Sequence, residues 1–189
     1  MISVSEPQPA VIALYLRDVA GLPTGTGIPP LSPPVSIRES EASVNVDEAC
    51  AEWNMWWDEL MRREDQRLPG TAPSTDETFP EPSRFPVLAE LASRVQEDAL
   101  EYSTARKREA AALRRENILN RVLFQLMREA RPALLKGRRA REVSLHVTQI
   151  PVDGEFKQSR SQHHLVVSVN TYKNSNAYDA ALRETLGWR

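Results

Sequence analysis

Two histidines in the last third of the chain are the residues whose spacing first suggests chemistry. His146 and His164 lie in two short runs of alternating apolar and polar residues, which predict half-buried strands. If these strands form an antiparallel hairpin with Val147 facing Leu165, both imidazoles lie on its polar face at diagonal positions. Imidazole binds zinc, but the nearby sequence offers no third ligand. We therefore expect no metal, and an enzyme with a site near these histidines is our third hypothesis.

The residues between and beside the two predicted strands are interpreted as turn and surface residues, not as parts of a catalytic site. Asp153-Gly154 is typical of a tight turn, and we interpret the acidic-x-Lys pattern ending at Lys157 as part of that turn. A two-residue turn there would put the apolar faces of the strands out of register, so we predict a bulge or longer loop between Ile150 and His163. Three polar neighbours predict an ordinary solvated face: Thr148, Ser168 and Asn170.

The single cysteine and the missing motifs argue against familiar catalysis. Cys50 lies close to Asp47, Glu48 and Glu52, whose carboxylates disfavour a thiolate, so we interpret it as structural. The sequence contains no Walker loop, dinucleotide fingerprint, HExxH, GxSxG or zinc-ribbon spacing. We expect no cofactor, and we predict no catalytic residues.

Charge is divided sharply along the chain, although the net charge is only −2. Residues 1–104 carry 7 Lys and Arg against 18 Asp and Glu, whereas residues 105–141 carry 12 against 3. The remaining residues, 142–189, carry 5 of each sign. Such asymmetry indicates either that the two segments attract each other or that one binds a charged partner.

The positive charge is concentrated on a predicted helix and the loop that follows it. Four cations recur every seven residues along the helix, and three more follow closely: Lys107, Arg114, Arg121, Arg128, Arg138, Arg139 and Arg141. Helix 106–131 and loop 136–141 could contact nucleic-acid phosphates, which is our alternative hypothesis. No recognition motif accompanies these cations, and the acidic residues of segment 1–104 can neutralise them within the molecule or across a dimer. We therefore rank nucleic-acid binding second among the hypotheses for function.

A tryptophan cluster marks a second strong helix, predicted over residues 45–63. Asn45 provides a cap with Glu48 three residues on, and Trp53, Trp56 and Trp57 fall on the apolar face. Such rings either pack in a core or form a binding hot spot. We favour the core interpretation and keep the interaction site as its alternative.

The remaining elements follow from periodicity and from the prolines. Residues 11–16 suit a helix or a buried strand, and we favour the helix. The Pro-rich segments 21–37 and 68–86 predict connectors. Pro86 starts a helix that either stops near Ser103 or continues to about residue 131. A short terminal helix is predicted over residues 174–186, with serine and asparagine as candidates for its N-cap.

Together these elements predict an α+β fold. A long central amphipathic helix would pack on an antiparallel β-hairpin, with flanking helices and Pro-rich connectors. Residues 1–85 form an acidic front, either a docked arm or part of one domain, and residues 86–189 form a compact core. No stretch suits a signal peptide or membrane span, which favours the cytoplasm. The function we expect is non-enzymatic interaction, by self-association or with a protein partner.

Overall fold

The computed structural model of the chain describes residues 2–23, 25–36, 45–66, 78–115 and 144–187. Its architecture is α+β, with helices on both faces of a mixed four-stranded sheet. In chain order the elements are β1 (Ile2–Ser5), α1 (Gln8–Val19), α2 (Val46–Asp65), α3 (Pro86–Arg115), β2 (Leu145–Ile150), β3 (Lys157–Ser161), β4 (His164–Ser168), α4 (Val169–Lys173) and α5 (Ser175–Leu186).

The sheet has the order β1-β2-β4-β3, which makes the predicted hairpin wrong. Val147 does face Leu165 as predicted, but β2 and β4 run parallel, and the antiparallel pair is β3 with β4. The chain reverses inside the segment that we predicted to be a bulge or loop, because an additional strand, β3, forms there. Every residue of β2 is buried, as expected for a central strand covered on both faces.

Each face of the sheet packs on a separate group of helices. On one face, Leu145, Val147 and Leu165 pack against Tyr178 and Leu182 of α5. On the other face, apolar residues of α1, α2 and α3 pack together with residues of β2 and β4. Since β1 pairs with β2, described segments from both sides of residue 85 share one structure. The functional division of the chain at that residue stays a prediction.

Helix α1 resolves the ambiguity of residues 11–16 in favour of the helix. It begins after Pro7 and is buried on nearly all sides, which explains why its sequence also suits a buried strand. The Pro-rich connector after it is docked on the core. Leu31 is buried, and the Ser32 N–H donates to the Pro151 carbonyl (2.8 Å).

The predicted caps of α2 and α5 are confirmed. Asn45 accepts a hydrogen bond from the Glu48 N–H, and its amide donates to the Glu48 carboxylate (3.2 Å). Asn174 accepts from the N–H groups of Asn176 and Ala177 at the start of α5. That helix ends at Gly187, whose φ of 66° suits glycine.

Helix α3 begins at Pro86, as predicted, and is capped by a residue of another helix. The Glu52 carboxylate of α2 accepts from the N–H groups of Val87 (3.4 Å) and Leu88 (2.8 Å). These are donors that a helix start leaves without an intrahelical partner. The helix continues past Ser103 to Arg115, with non-helical dihedrals at Val95, and its predicted extension to residue 131 lies outside the described residues.

Replacing Glu52 with alanine is expected to lower the free energy of unfolding by about 2 kcal/mol, because the partly buried Val87 N–H and the buried Leu88 N–H lose their acceptor. Glu52→Gln retains one acceptor oxygen and should lose less. Urea denaturation measures both values. Gln96→Ala, at an exposed position of α3, is the control and should change stability by only a few tenths of a kcal/mol. Equal losses in Glu52→Ala and Gln96→Ala would contradict the capping role.

Candidate functional site

The two histidines lie at the centre of a polar cluster on the sheet face that α2 covers. His146 of β2 and His164 of β4 are directly paired in register, and their ring centroids are 5.6 Å apart. They are 7% and 0% exposed. The predicted diagonal placement is wrong because the strands are parallel. The polar-cluster residues are Ser3, Ser5, Glu64, His146, Thr148 and His164.

His146 has a partner on each ring nitrogen. Its Nδ1 lies 2.9 Å from the Ser3 Oγ, and its Nε2 lies 2.8 Å from the Glu64 Oε2. Ser5 Oγ donates to the same carboxylate oxygen (3.0 Å) and lies 2.9 Å from Nε2. The hydrogen bonds of Ser3, His146 and Glu64 are all formed if the His146 Nε2 carries the proton and its Nδ1 accepts from the Ser3 hydroxyl. The cluster joins a hydroxyl, an imidazole and a carboxylate, but the Ser3 hydroxyl lies on Nδ1 and the Glu64 carboxylate on Nε2, the reverse of the nitrogens used in a serine-protease triad.

His164 is more deeply buried and has fewer partners. Its Nε2 lies 2.9 Å from the Thr148 Oγ1, and its Nδ1 has no hydrogen-bond partner among the described residues. Burial lowers the pKa of His164 to about 4, and the charge of His146 acts in the same direction. At neutral pH this imidazole is therefore uncharged.

The polar cluster is closed to a substrate in this conformation. Both imidazoles are almost wholly shielded from solvent, so neither is accessible to a reacting group. Within the described ranges, no group of three or more His, Cys, Asp or Glu is arranged to hold a metal ion. The prediction of a solvated face was wrong for Thr148 and Ser168, which are buried, whereas Asn170 is exposed. The Thr148 hydroxyl bonds to His164, and the Ser168 hydroxyl donates to the Gly154 carbonyl and accepts from the Phe156 N–H.

Sequence reasoning missed Ser3, Ser5 and Glu64. The alternation of Ile2, Ser3, Val4 and Ser5 is a strand pattern, but four residues are too few to separate it from chance. Glu64 lies one residue beyond the predicted end of its helix. Only the tertiary fold brings these residues to His146.

The tryptophan cluster lies in the core. Trp53, Trp56 and Trp57 are 0%, 3% and 2% exposed. Trp53 stacks on Trp57 with centroids 5.4 Å apart, and its Nε1–H donates to the Ala13 carbonyl. The large apolar residue exposed on α2 is Met55 instead, at 62%. A role for the tryptophans in binding a partner stays a prediction.

The basic stripe is described only at its beginning. Lys107 and its neighbour Arg108 are exposed on α3 and form no ion pair within the described part of the chain. Arg106 pairs with Glu109 (2.7 Å). The other predicted cations lie outside the described side chains: Arg114, Arg121, Arg128, Arg138, Arg139 and Arg141.

Part of the acidic front is paired with nearby cations. Its described ion pairs include Glu59 with Arg63 and Arg84, Asp58 with Arg160, and Asp18 with Arg17. The Arg84 hydrogen bond lowers the pKa of Glu59 below its usual value. Lys107 and Arg108 take part in none of these pairs. In the described residues, therefore, the acidic front does not neutralise the start of the basic helix.

The contacts of Cys50 and Lys157 indicate structural roles and not catalytic ones. Cys50 is a free, partly exposed thiol whose Sγ lies 3.4 Å from the Pro23 carbonyl oxygen. Lys157 pairs with Glu184 of α5 and not with the acidic residues before it.

A cavity of about 210 Å³ lies elsewhere, between α3 and α4, and is lined by Glu6, Arg106, Glu109 and Lys173 among others. Its two cations and two carboxylates balance, so it favours no ion of either sign.

Comparisons with protein-family models, with curated proteins and with solved structures find no match for this chain. Within the described residues, none of the helices combines the length and the apolar character that crossing a membrane requires. The proposals that follow are therefore argued from the residues of the chain itself.

Proposed function

We propose that this protein is a non-enzymatic interaction protein that self-associates through surfaces of opposite charge. The observation that supports this proposal is the charge on the outer side of α3. Glu97 and Glu101 are exposed and form no ion pair in the described residues, and one to two turns later the same is true of Lys107 and Arg108. The helix surface therefore changes from acidic to basic along its length.

A second copy of the chain complements this surface. Glu97, Glu101 and Arg108 lie on one side of α3 because they are separated by four and seven residues. When two such helices pack antiparallel, the acidic part of each faces the basic part of the other. The sequence extends the same complementarity, since residues 1–104 are strongly acidic and residues 105–141 strongly basic.

The energies indicate a weak, salt-sensitive association. An exposed ion pair contributes about 0.2–1 kcal/mol, whereas association costs about 4–15 kcal/mol in lost freedom. The described charges on α3 are therefore too few to form a tight dimer alone. Further contacts must come from other parts of the surface, and salt should weaken the association because exposed charges are screened over about 8–10 Å.

Charge reversal on α3 tests the proposal by sedimentation velocity. At about 50 mM salt we expect dimers, which dissociate at about 500 mM. Glu97→Lys with Glu101→Lys, and separately Lys107→Glu with Arg108→Glu, should each weaken self-association about tenfold. An equal mixture of the two double variants should form heterodimers again, because their helix surfaces are complementary.

The control variant changes the net charge by the same amount as Glu97→Lys with Glu101→Lys, but at positions outside α3. Asp47→Lys with Glu155→Lys alters two exposed carboxylates away from α3 and should leave the sedimentation of the protein nearly unchanged. Wild-type protein that stays monomeric at low salt contradicts self-association. Retention of nucleic acid at low salt, lost in Lys107→Glu with Arg108→Glu, would replace the proposal with the alternative hypothesis of nucleic-acid binding.

A further inference from the structure

The two edges of the sheet differ in how they are protected. Edge strands expose unpaired backbone groups, and proteins block further pairing with charged side chains and bulges. β3 has both devices: it carries Lys157 and Arg160, and its register shifts between Ser159 and Ser161. This edge is therefore unsuited to pairing with another strand.

β1 carries neither a charged side chain nor a bulge, and the feature that limits pairing at its edge is its length of only four residues. Its residues Ile2–Ser5 include no charge and no proline, and they pair with β2 in continuous register. Within the described ranges, no strand pairs with its outer side. The uncharged edge of β1 is thus the edge to which a strand can be added.

The backbone pattern identifies the residue that faces outward. The His146 N–H donates to the His163 carbonyl (2.7 Å) on the β4 side, so the alternate residues of β2 present their backbone groups to β1. Ser3, which pairs with His146, lies between two of these residues and bonds to β2. The N–H and C=O of Val4, the next residue, therefore point to the open edge.

We infer that the outer edge of β1 pairs antiparallel with β1 of a second copy, which joins the two sheets into one sheet of eight strands. The inference rests on the proposed self-association and names its contact surface. A two-fold axis at Ser3 places Ile2 opposite Val4 and Ser3 opposite Ser3. An axis at Val4 would instead place Ile2 opposite the charged Glu6, so the register centred on Ser3 is favoured.

Nearby charges are compatible with this dimer. In the register centred on Ser3, the two Ser5 residues lie four positions apart, roughly 13 Å along the strands. The Glu64 carboxylate bonded to each Ser5 (3.0 Å) is therefore not brought into direct contact with its counterpart. The chain leaving β1 runs beside α3, since the Gln8 amide donates to the Ser103 Oγ (3.1 Å). The charges of α3 thus lie near the proposed contact.

A proline at the outward-facing position tests the inference. Val4→Pro removes an N–H that β2 does not use, and proline is tolerated on an edge strand in that orientation. Val4→Ala is the matched control, because it loses the same side-chain packing and keeps the N–H. By sedimentation velocity, Val4→Pro should weaken self-association at least tenfold relative to Val4→Ala.

A second measurement uses the wild-type protein. Hydrogen exchange at the Val4 amide should slow at least tenfold as protein concentration rises through the dimerisation range. Equal association of the two Val4 variants, or exchange independent of concentration, overturns the inference. If the charge reversals on α3 have no effect while Val4→Pro dissociates the dimer, the charge-driven mechanism fails and the strand contact stands. If the charge reversals dissociate the dimer and Val4→Pro has no effect, the strand contact is wrong and the charge-driven association stands.

Discussion

Lowering the pH from about 7.5 to about 5 is expected to cost this protein on the order of 2 kcal/mol of stability through His164. The folded chain holds the pKa of His164 near 4, against an ordinary value of 6.5, mainly because the ring is buried. Between these values the unfolded chain binds more protons than the folded chain. The contribution of His164 to stability is therefore complete above about pH 6.5 and is lost as the pH falls towards 4.

The charged groups around His164 change its pKa in opposite directions. The charges of His146 and Arg160 lower its pKa further, whereas Asp65 and Glu64 oppose them. Desolvation is nevertheless the largest cause, so a variant that keeps the burial but cannot titrate should remove the effect.

His164→Gln is that variant, and its neighbour provides the control. Glutamine can still hydrogen-bond to Thr148, so the fold should survive with a shallower dependence of stability on pH. His163 is exposed, with its Nδ1 2.9 Å from the Ser144 carbonyl oxygen, and His163→Gln should keep the wild-type slope. Urea denaturation at a series of pH values measures all three proteins. Identical slopes for wild type and His164→Gln would show that another group titrates.

Replacing Trp53 with alanine is expected to reduce the free energy of unfolding by about 3–5 kcal/mol. The ring is fully buried, stacks on Trp57 and binds the Ala13 carbonyl through its Nε1–H, so its removal leaves a cavity and an unsatisfied acceptor. A loss of this size is a large part of the stability of a typical domain. Thermal and urea denaturation should both show it.

Met55→Ala is the matched control on the same helix. Its side chain is 62% exposed, so the substitution should change stability by less than about 0.5 kcal/mol. If Trp53→Ala instead keeps wild-type stability and abolishes self-association, the tryptophans are an interaction site and the core interpretation is wrong.

The helices of this protein were predictable because the signals that form them are local. Asn45 caps α2, Pro86 begins α3, and Asn174 caps α5, each at the position that its chemistry predicts. The apolar faces of these helices also follow from spacing alone. Even the buried position of Trp53 agrees with the interpretation that its helical periodicity favoured.

The sheet was predicted only in part because strand direction is not a local property. The register between Val147 and Leu165 follows from matching apolar faces, which is equally satisfied by parallel and antiparallel strands. The residues that decide the direction form β3, Lys157–Ser161, which contains only polar residues and resembles a loop. β1 is equally inconspicuous, and its pairing partner lies more than 140 positions away.

The sequence by itself determined the helices, their caps, the α+β class and the separation of charge, because each depends on neighbours along the chain or on composition. Tertiary structure alone decided the direction of the strands, the position of β1 at the edge of the described sheet and the partners of His146. These depend on contacts between residues far apart in sequence, such as those that Ser3 and Glu64 each form with His146, which no local pattern encodes. The two histidines were thus found by spacing, but burial under α2 gave them their surroundings.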